Sequence, residues 1–195
     1  MKRLVSGILL LTLAVLLCAC GGAAGPEAAV RTALDGLKEH HLDKVETVLS
    51  YEKLMSFSDD VRETFAAPSA AAALFRHLSY EVAATREQAD SAEVDVTITN
   101  VEFSSFMGDY MTAFMLLYIE NEQAQDKLSD ADFMAKVGEK LSQMTDEHQT
   151  DTVSHTVTVH LFKTGDGWRL EPDEDFADAV FGGLISASAA AGGQE

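Results

Sequence analysis

The chain has 195 residues, of which 32 are Asp or Glu and 14 are Lys or Arg, so its formal net charge is −18. This acidity argues against nucleic acid as a partner and against a domain that lies flat on anionic lipid. The length suits a single folded domain.

The first residues have the pattern of a secretory signal peptide. Two basic residues precede an apolar run over 4–17, which has signal-peptide length and is at the short limit for a membrane span. The next residues, LCAC (17–20), resemble the lipobox of bacterial lipoproteins, in which the last cysteine is lipidated and becomes the new N-terminus. The sequence therefore predicts a signal peptide over 1–19 and a membrane anchor through a diacylglycerol on Cys20, with the domain on the extracytoplasmic face.

Both cysteines of the chain lie in this segment. Cys18 would leave with the signal peptide and Cys20 would carry the lipid. The rest of the chain then offers no disulfide, no thiol catalysis and no cysteine-based zinc site. The alternative, an uncleaved N-terminal anchor, predicts the same outward-facing compartment.

The N-terminal part of the domain is predicted to be helical. A glycine-rich tether over 20–25 leads into it. Apolar residues at helical spacing predict a pair of helices over 26–49, and a short Ala-rich helix follows over 68–78. Ser58, which precedes two acids, has the pattern of a helix N-cap between them.

Four strands are predicted next, in two pairs. Residues 80–84, 94–98 and 153–161 alternate between apolar and polar, and KTGDGW (163–168) is typical of a hairpin turn into a last strand. A helical insertion over 102–149 separates the two pairs. The predicted fold class is α+β, with a curved antiparallel sheet of about four strands packed on N-terminal helices and a helical pair inserted between strands.

The C-terminal end is predicted to be a short helix and a tail. The segment 172–184 begins with acids and ends with two glycines, as many helices do. Residues 185–195 are low in complexity and are predicted to be disordered. The single α+β domain is therefore predicted over 26–184.

Two segments resemble nuclear-transport-factor-2-like lipoproteins of Gram-positive bacteria, which are mostly of unknown function. AAVRTALDGLKEHHLDKVETVLS (28–50) is similar to their opening helix pair, and VTVHLFKTGDGWRLEP (157–172) is similar to their closing hairpin. The resemblance implies a cone-shaped fold, in which a curved sheet wraps a long N-terminal helix and often encloses a pocket. The insertion departs from the minimal family pattern. The resemblance therefore does not distinguish an open pocket from one that the insertion covers or fills.

Tyr80 and His155 are candidate ligand-binding residues, because both are predicted on the apolar, inward face of their strands. A histidine in such a place is more often a hydrogen-bonded core or rim residue. Enzymes that share the cone fold use an Asp base with a Tyr or a second acid, and no inward Asp is predicted beside Tyr80. We therefore assign no catalytic residue. Asn100 falls on the same face, where the strand is predicted to have ended.

No motif predicts a metal or another cofactor. His155 and His160 are predicted on opposite faces of one strand, and the adjacent His40 and His41 diverge on a helix. The chain has no HExxH motif, calcium loop, phosphate loop or nucleophile elbow. The acids over 173–178 have the composition of a cation site, but a helix start explains them equally well.

The insertion carries the remaining candidate ligand-binding residues, on one helical stripe. They are Phe106, Met107, Tyr110, Met111, Phe114 and Met115. Methionines and aromatic residues form adaptable surfaces for apolar ligands or partner helices, although such a stripe also suits a helix packed on the sheet. The sequence favours a non-catalytic binding domain for a small apolar ligand, a peptide or an envelope protein. The alternatives are a pocket enzyme doing general acid–base chemistry and a structural assembly module.

Overall fold

The structure is a computed structural model that describes residues 25–192, with side chains described as far as residue 190. The predicted signal peptide, Cys20 and all of the tether except Gly25 lie outside the described residues. Their predictions stay predictions.

Helices and strands alternate in blocks along the described chain. The helices are α1 (Pro26–Lys38), α2 (Leu42–Val48), α3 (Tyr51–Met55), α4 (Asp59–Thr64), α5 (Pro68–Phe75), α6 (Met107–Gln123), α7 (Asp130–Glu147), α8 (Glu174–Val180) and α9 (Leu184–Gly192). The strands are β1 (Ser79–Glu87), β2 (Ser91–Val101), β3 (Thr152–Thr164) and β4 (Gly167–Glu171).

The four strands form one antiparallel sheet in the order β1-β2-β3-β4, and this sheet is not closed. Ile98 lies between Tyr80 of β1 and His155 of β3, which fixes the register of the three long strands. Leu161 is paired with Leu170 across the final hairpin. The predicted α+β class is confirmed, including the helical pair between β2 and β3. The nuclear-transport-factor-2-like cone stays a prediction.

One face of the sheet is filled by helices. Val94, Val96 and Ile98 alternate along β2 and are fully buried, as period-2 patterning requires of a strand with one covered face. Helices α1 and α8 contact the sheet, and both carry fully buried apolar residues such as Leu34 and Val180. Side chains of α1 and α8 therefore cover this face of the sheet.

The other face of the sheet is polar and open to solvent. Its side chains form rows of paired hydroxyls across β2 and β3. The Oγ1 atoms of Thr97 and Thr156 are 2.9 Å apart, and Thr99 Oγ1 lies 2.7 Å from Ser154 Oγ. Cross-strand hydroxyl pairs of this kind stabilise a sheet modestly.

The edge strand β1 is irregular and charged. Its register with β2 shifts between Val82 and Ala84, which is a β-bulge. Beyond the bulge, Arg86 Nε donates to Glu93 at 3.0 Å and its Nη2 donates to Asp95 at 2.8 Å.

The C-terminal segment differs from its predicted disorder over 185–195. It begins as helix α9, Leu184–Gly192. The buried Asp178 carboxylate accepts hydrogen bonds from the main-chain N–H groups of Ile185 (2.9 Å) and Ser186 (3.1 Å). This acid therefore caps α9, because it satisfies two donors that a helix start leaves unpaired.

Candidate functional site

Helices α6 and α7 and the loop between them form a helical hairpin, defined as residues 107–147. The Phe133 ring meets the rings of Phe114 at 6.1 Å and Tyr118 at 6.3 Å, both nearly edge to face. Leu128 N donates to the side chain of Asn121 at 2.9 Å, which closes the loop. Ser129 caps the second helix by accepting a hydrogen bond from Asp132 N.

The base of the hairpin is anchored mainly to α5. Arg76 and His77, just beyond α5, both bind the Asp146 carboxylate of α7, at 2.9 and 2.7 Å. The hydrogen bond from His77, followed by that from Arg76, lowers the pKa of Asp146. Packing of α7 on α5 is tight, since a Cβ at Gly138 would lie 2.3 Å from Ser69 Oγ. The insertion therefore packs mainly on α5, whereas the sequence-based alternative placed it on the sheet.

Away from its base, the hairpin exposes apolar side chains. Eight large apolar side chains of the described residues are exposed, and seven of them belong to the hairpin. These seven are Met111, Met115, Leu116, Tyr118, Ile119, Leu128 and Met134. Several exposed large apolar side chains on one element are typical of an interaction site, whereas single exposed apolar residues are ordinary.

The tip of the hairpin is also acidic. Residues 118–132 contain five acids and one basic residue, Lys127. That lysine is already paired with Glu122 at 2.8 Å. The exposed apolar surface therefore lies beside unneutralised negative charge.

The six insertion residues predicted to bind ligand differ in burial and do not form one exposed surface. Phe106 and Tyr110 are buried at 1% and 4% exposure, and Phe106 stacks on the His148 ring at 4.7 Å. Met107 and Phe114 are half-buried against the core. Met111 and Met115 are about half exposed. Phe106 and Tyr110 hold the hairpin to the domain, whereas Met111 and Met115 are available to a partner.

A cleft of about 310 Å³ lies at the base of the hairpin, between α4, α6 and α9. Its apolar lining includes Val61, Phe65, Met107, Met111 and Leu184. It shares Met111 with the exposed face, so the apolar surface continues from the hairpin into the cleft.

Tyr80 and His155 both lie on the inward face, on either side of Ile98, as predicted. Their side chains do not share a site. Tyr80 donates its hydroxyl to Asp35 of α1 at 2.8 Å, and burial, followed by this contact, raises the pKa of Tyr80. His155 Nε2 is buried beside Gly183 without a hydrogen-bond partner among the described residues. Neither residue lines the cleft at the base of the hairpin or the groove described below.

Asn100 is a structural residue that lies within β2. The prediction that the strand has ended at this position is wrong. It is fully buried. Its Nδ2 donates to the carbonyls of Leu74 (2.9 Å) and Val180 (2.7 Å), and its Oδ1 accepts from Val101 N (2.8 Å). Asn100 therefore joins α5, β2 and α8 in the core.

A second groove, of about 470 Å³, was not anticipated from the sequence. We call it the α3–α5 groove, because it is lined by the loop before α2 and by helices α2 to α5. The lining residues are His40, Leu42, Tyr51, Glu52, Met55, Ser56, Arg62, Phe65, Ala66, Pro68 and Ala71. They are scattered over five short segments, so no local motif marks them.

No three His, Cys, Asp or Glu side chains within residues 25–192 come together as ligands for a metal ion. The acid cluster of the C-terminal part is explained by capping: Asp173 accepts from Phe176 N at 2.8 Å at the start of α8. Within the described range, no helix has both the length and the apolar character needed to span a bilayer.

Comparison with known proteins gives a distant structural likeness. No protein-family model and no curated protein matches the chain. Among solved structures, the chain is similar to ycdA of Bacillus subtilis, which is provisionally termed a lipoprotein, with 16% identity and a TM-score of 0.44. The match covers 80% of this chain and 57% of that one, so the chain spans less than two thirds of the neighbour's length. A likeness at this level establishes neither a shared family nor a shared function.

Proposed function

We propose that the chain is a lipid-anchored, extracytoplasmic binding protein whose helical hairpin docks a partner protein of the cell envelope. The observation that carries the proposal is the concentration of exposed large apolar side chains on the hairpin, seven of eight in the described residues. The lipobox over 17–20 supports the anchor on Cys20.

The exposed face has the character of a protein-binding surface. Met111 and Met115 are unbranched and polarizable, so they adapt to the shape of a partner. Tyr118 adds an aromatic anchor with a polar end, a residue type enriched at interfaces. A partner would bury this surface, and the fixed base of the hairpin would limit the ordering cost of binding.

The charge of the hairpin indicates the kind of partner. Five acids lie between residues 118 and 132, so a surface that is both apolar and basic fits best. The same acids oppose contact with anionic lipid headgroups. The hairpin would therefore reach a protein in preference to the membrane.

The test is site-specific photo-crosslinking in native membranes, with p-benzoylphenylalanine at Met115 of the full chain. The matched control carries the same group at Phe162, which is 42% exposed on the sheet. We expect a discrete cross-linked product of a basic partner from Met115 and none from Phe162. The product should disappear when Met111→Gln is added.

Three results would contradict this proposal. Equal products from both positions would mean non-specific contact. A product of twice the mass of the chain would assign the hairpin to self-association. The absence of any product from Met115 would remove the docking role. The anchor is tested separately by mass spectrometry of the N-terminal peptide, with Cys20→Ala expected to release the chain from the membrane.

A further inference from the structure

The α3–α5 groove lies apart from the exposed face of the hairpin and is the larger of the two clefts described above, at about 470 Å³. Pockets for small molecules typically occupy about 300–1,000 Å³ and are mostly apolar with a few polar groups. Three buried apolar side chains line this groove: Met55, Phe65 and Ala71, each at most 8% exposed. The groove thus has both the size and the apolar lining of a small-molecule site.

The charges around the groove favour a cationic ligand. Arg62 is the basic side chain in the lining, and its guanidinium is already paired with Asp59 at 2.7 Å. Glu52 makes no ion pair among the described residues and is exposed at the groove. A net charge of −18 adds a field that attracts cations and repels anions.

Aromatic rings in the lining suit the same class of ligand. Tyr51 is half-buried, and burial raises the pKa of its hydroxyl. Phe65 also lines the groove but is only 2% exposed, so Tyr51 is the ring that a ligand would reach. Aromatic faces beside a carboxylate attract organic cations through both cation–π and ionic interactions.

His40 adds an independent sign of a functional groove. It has a φ of 55°, which makes it the one non-glycine residue of the described chain in the left-handed region. Its Nδ1 is buried without a hydrogen-bond partner among the described residues. Glycine would fit this helix end with less strain. Strained residues of this kind cluster at functional sites.

From these observations we propose that the α3–α5 groove binds a small organic cation with an apolar body. Glu52 would pair with the cationic group, Tyr51 would contact it and the apolar body, and His40 would line one end. The groove shares Phe65 with the cleft at the base of the hairpin, but none of its lining residues belongs to the hairpin, so the two proposals are tested by separate variants.

The experiment measures binding of benzyltrimethylammonium to the full chain in nanodiscs of neutral lipid, by isothermal titration calorimetry. Benzenesulfonate and benzyl alcohol serve as anionic and neutral probes of similar size. We expect saturable binding of the cation and at least about five-fold weaker binding of the other two. Glu52→Gln should weaken binding of the cation about five-fold.

Glu63→Gln is the matched control, because it removes one exposed acid that lines the other cleft and not this groove. It should leave the affinity unchanged. His40→Gly should raise the Tm by about 2–4 °C and still weaken binding, a combination that a purely structural role would not produce. Equal binding of the sulfonate, equal effects of the two glutamate variants, or no saturable binding would each overturn the proposal.

Discussion

The side-chain amide of Asn100 donates a 2.7 Å hydrogen bond to the main-chain carbonyl of Val180, inside the core. A second hydrogen bond from the same Nδ2 reaches the Leu74 carbonyl at 2.9 Å. Three elements of the fold are therefore connected by one polar side chain that no solvent reaches.

Asn100→Ala is predicted to destabilise the fold by about 3 kcal/mol, because it leaves buried carbonyl groups without a donor. Chemical denaturation of the variant would measure this change. The neighbouring Thr99→Ala removes only a hydroxyl pair on the open face and should cost less than about 1 kcal/mol. Equal losses for the two variants would contradict the structural role of Asn100.

Gly182→Ala is predicted to destabilise the fold by about 2–4 kcal/mol. Gly182 has a φ of 62°, and a Cβ there would lie 2.0 Å from the main-chain oxygen of Val101. Gly165→Ala, at a turn where a Cβ meets nothing within 4 Å, is the control and should change stability by less than about 0.5 kcal/mol. Thermal unfolding of both variants measures the difference, and a Gly182→Ala chain as stable as the control would refute the close approach.

The Asp95 carboxyl is predicted to titrate about two pH units below its ordinary range. Hydrogen bonds from Arg86, and secondly from Thr158, lower the pKa of Asp95 from 3.8 to about 2. Because the folded pKa is the lower one, the stabilisation is complete above pH 3.8 and is lost as the pH falls from 3.8 to about 2. Carbon NMR of the side-chain carboxyl follows this titration directly. Arg86→Gln should return the pKa towards 3.8, whereas Arg62→Gln, on a different ion pair, should not.

Tyr80→Phe is predicted to leave cross-linking from Met115 unchanged. The substitution removes the hydrogen bond to Asp35, so unfolding free energy should fall by about 0.5–1.5 kcal/mol. Denaturation and the yield of the cross-linked product are measured on the same preparation. If the variant folds but the product is lost, the partner contacts the sheet side and the hairpin is not the docking surface.

The strands and their faces were predictable because a period of two leaves little freedom once one face is apolar. Glu93 and Asp95 point away from the buried face of Val94, as strict alternation along a strand requires. The surface against which the insertion packs was not predictable from the sequence. Phe106 and Met115 are at opposite edges of the predicted stripe, about 180° apart around one helix. Only tertiary contacts decide that the first edge is buried against His148 and the second is left exposed.

The structural roles of buried polar residues were also not predicted from the sequence. Asn100 lies in a strand, where Asn is uncommon, and its partners are carbonyls 26 and 80 residues away. Asp178 belongs to an acid-rich segment, and its capping of α9 depends on the turn that follows α8. The α3–α5 groove was missed for the same reason, since its residues meet only after four short helices have packed. Its sequence signal was weak: His40, the left-handed residue, occupies a helix end where glycine or asparagine is usual.

The irregular edge of the sheet affects how neighbouring copies of the chain can pair with one another. A flat, unpaired strand offers its main-chain groups to any neighbouring copy, and pairing of that kind leads to aggregates. Chains held by lipid on one surface would meet each other far more often than the same chains in free solution. The bulge between Val82 and Ala84, with Arg86 and its acids beyond it, interrupts the hydrogen-bonding register that a second copy would need. This edge of the sheet therefore disfavours strand pairing between neighbouring copies.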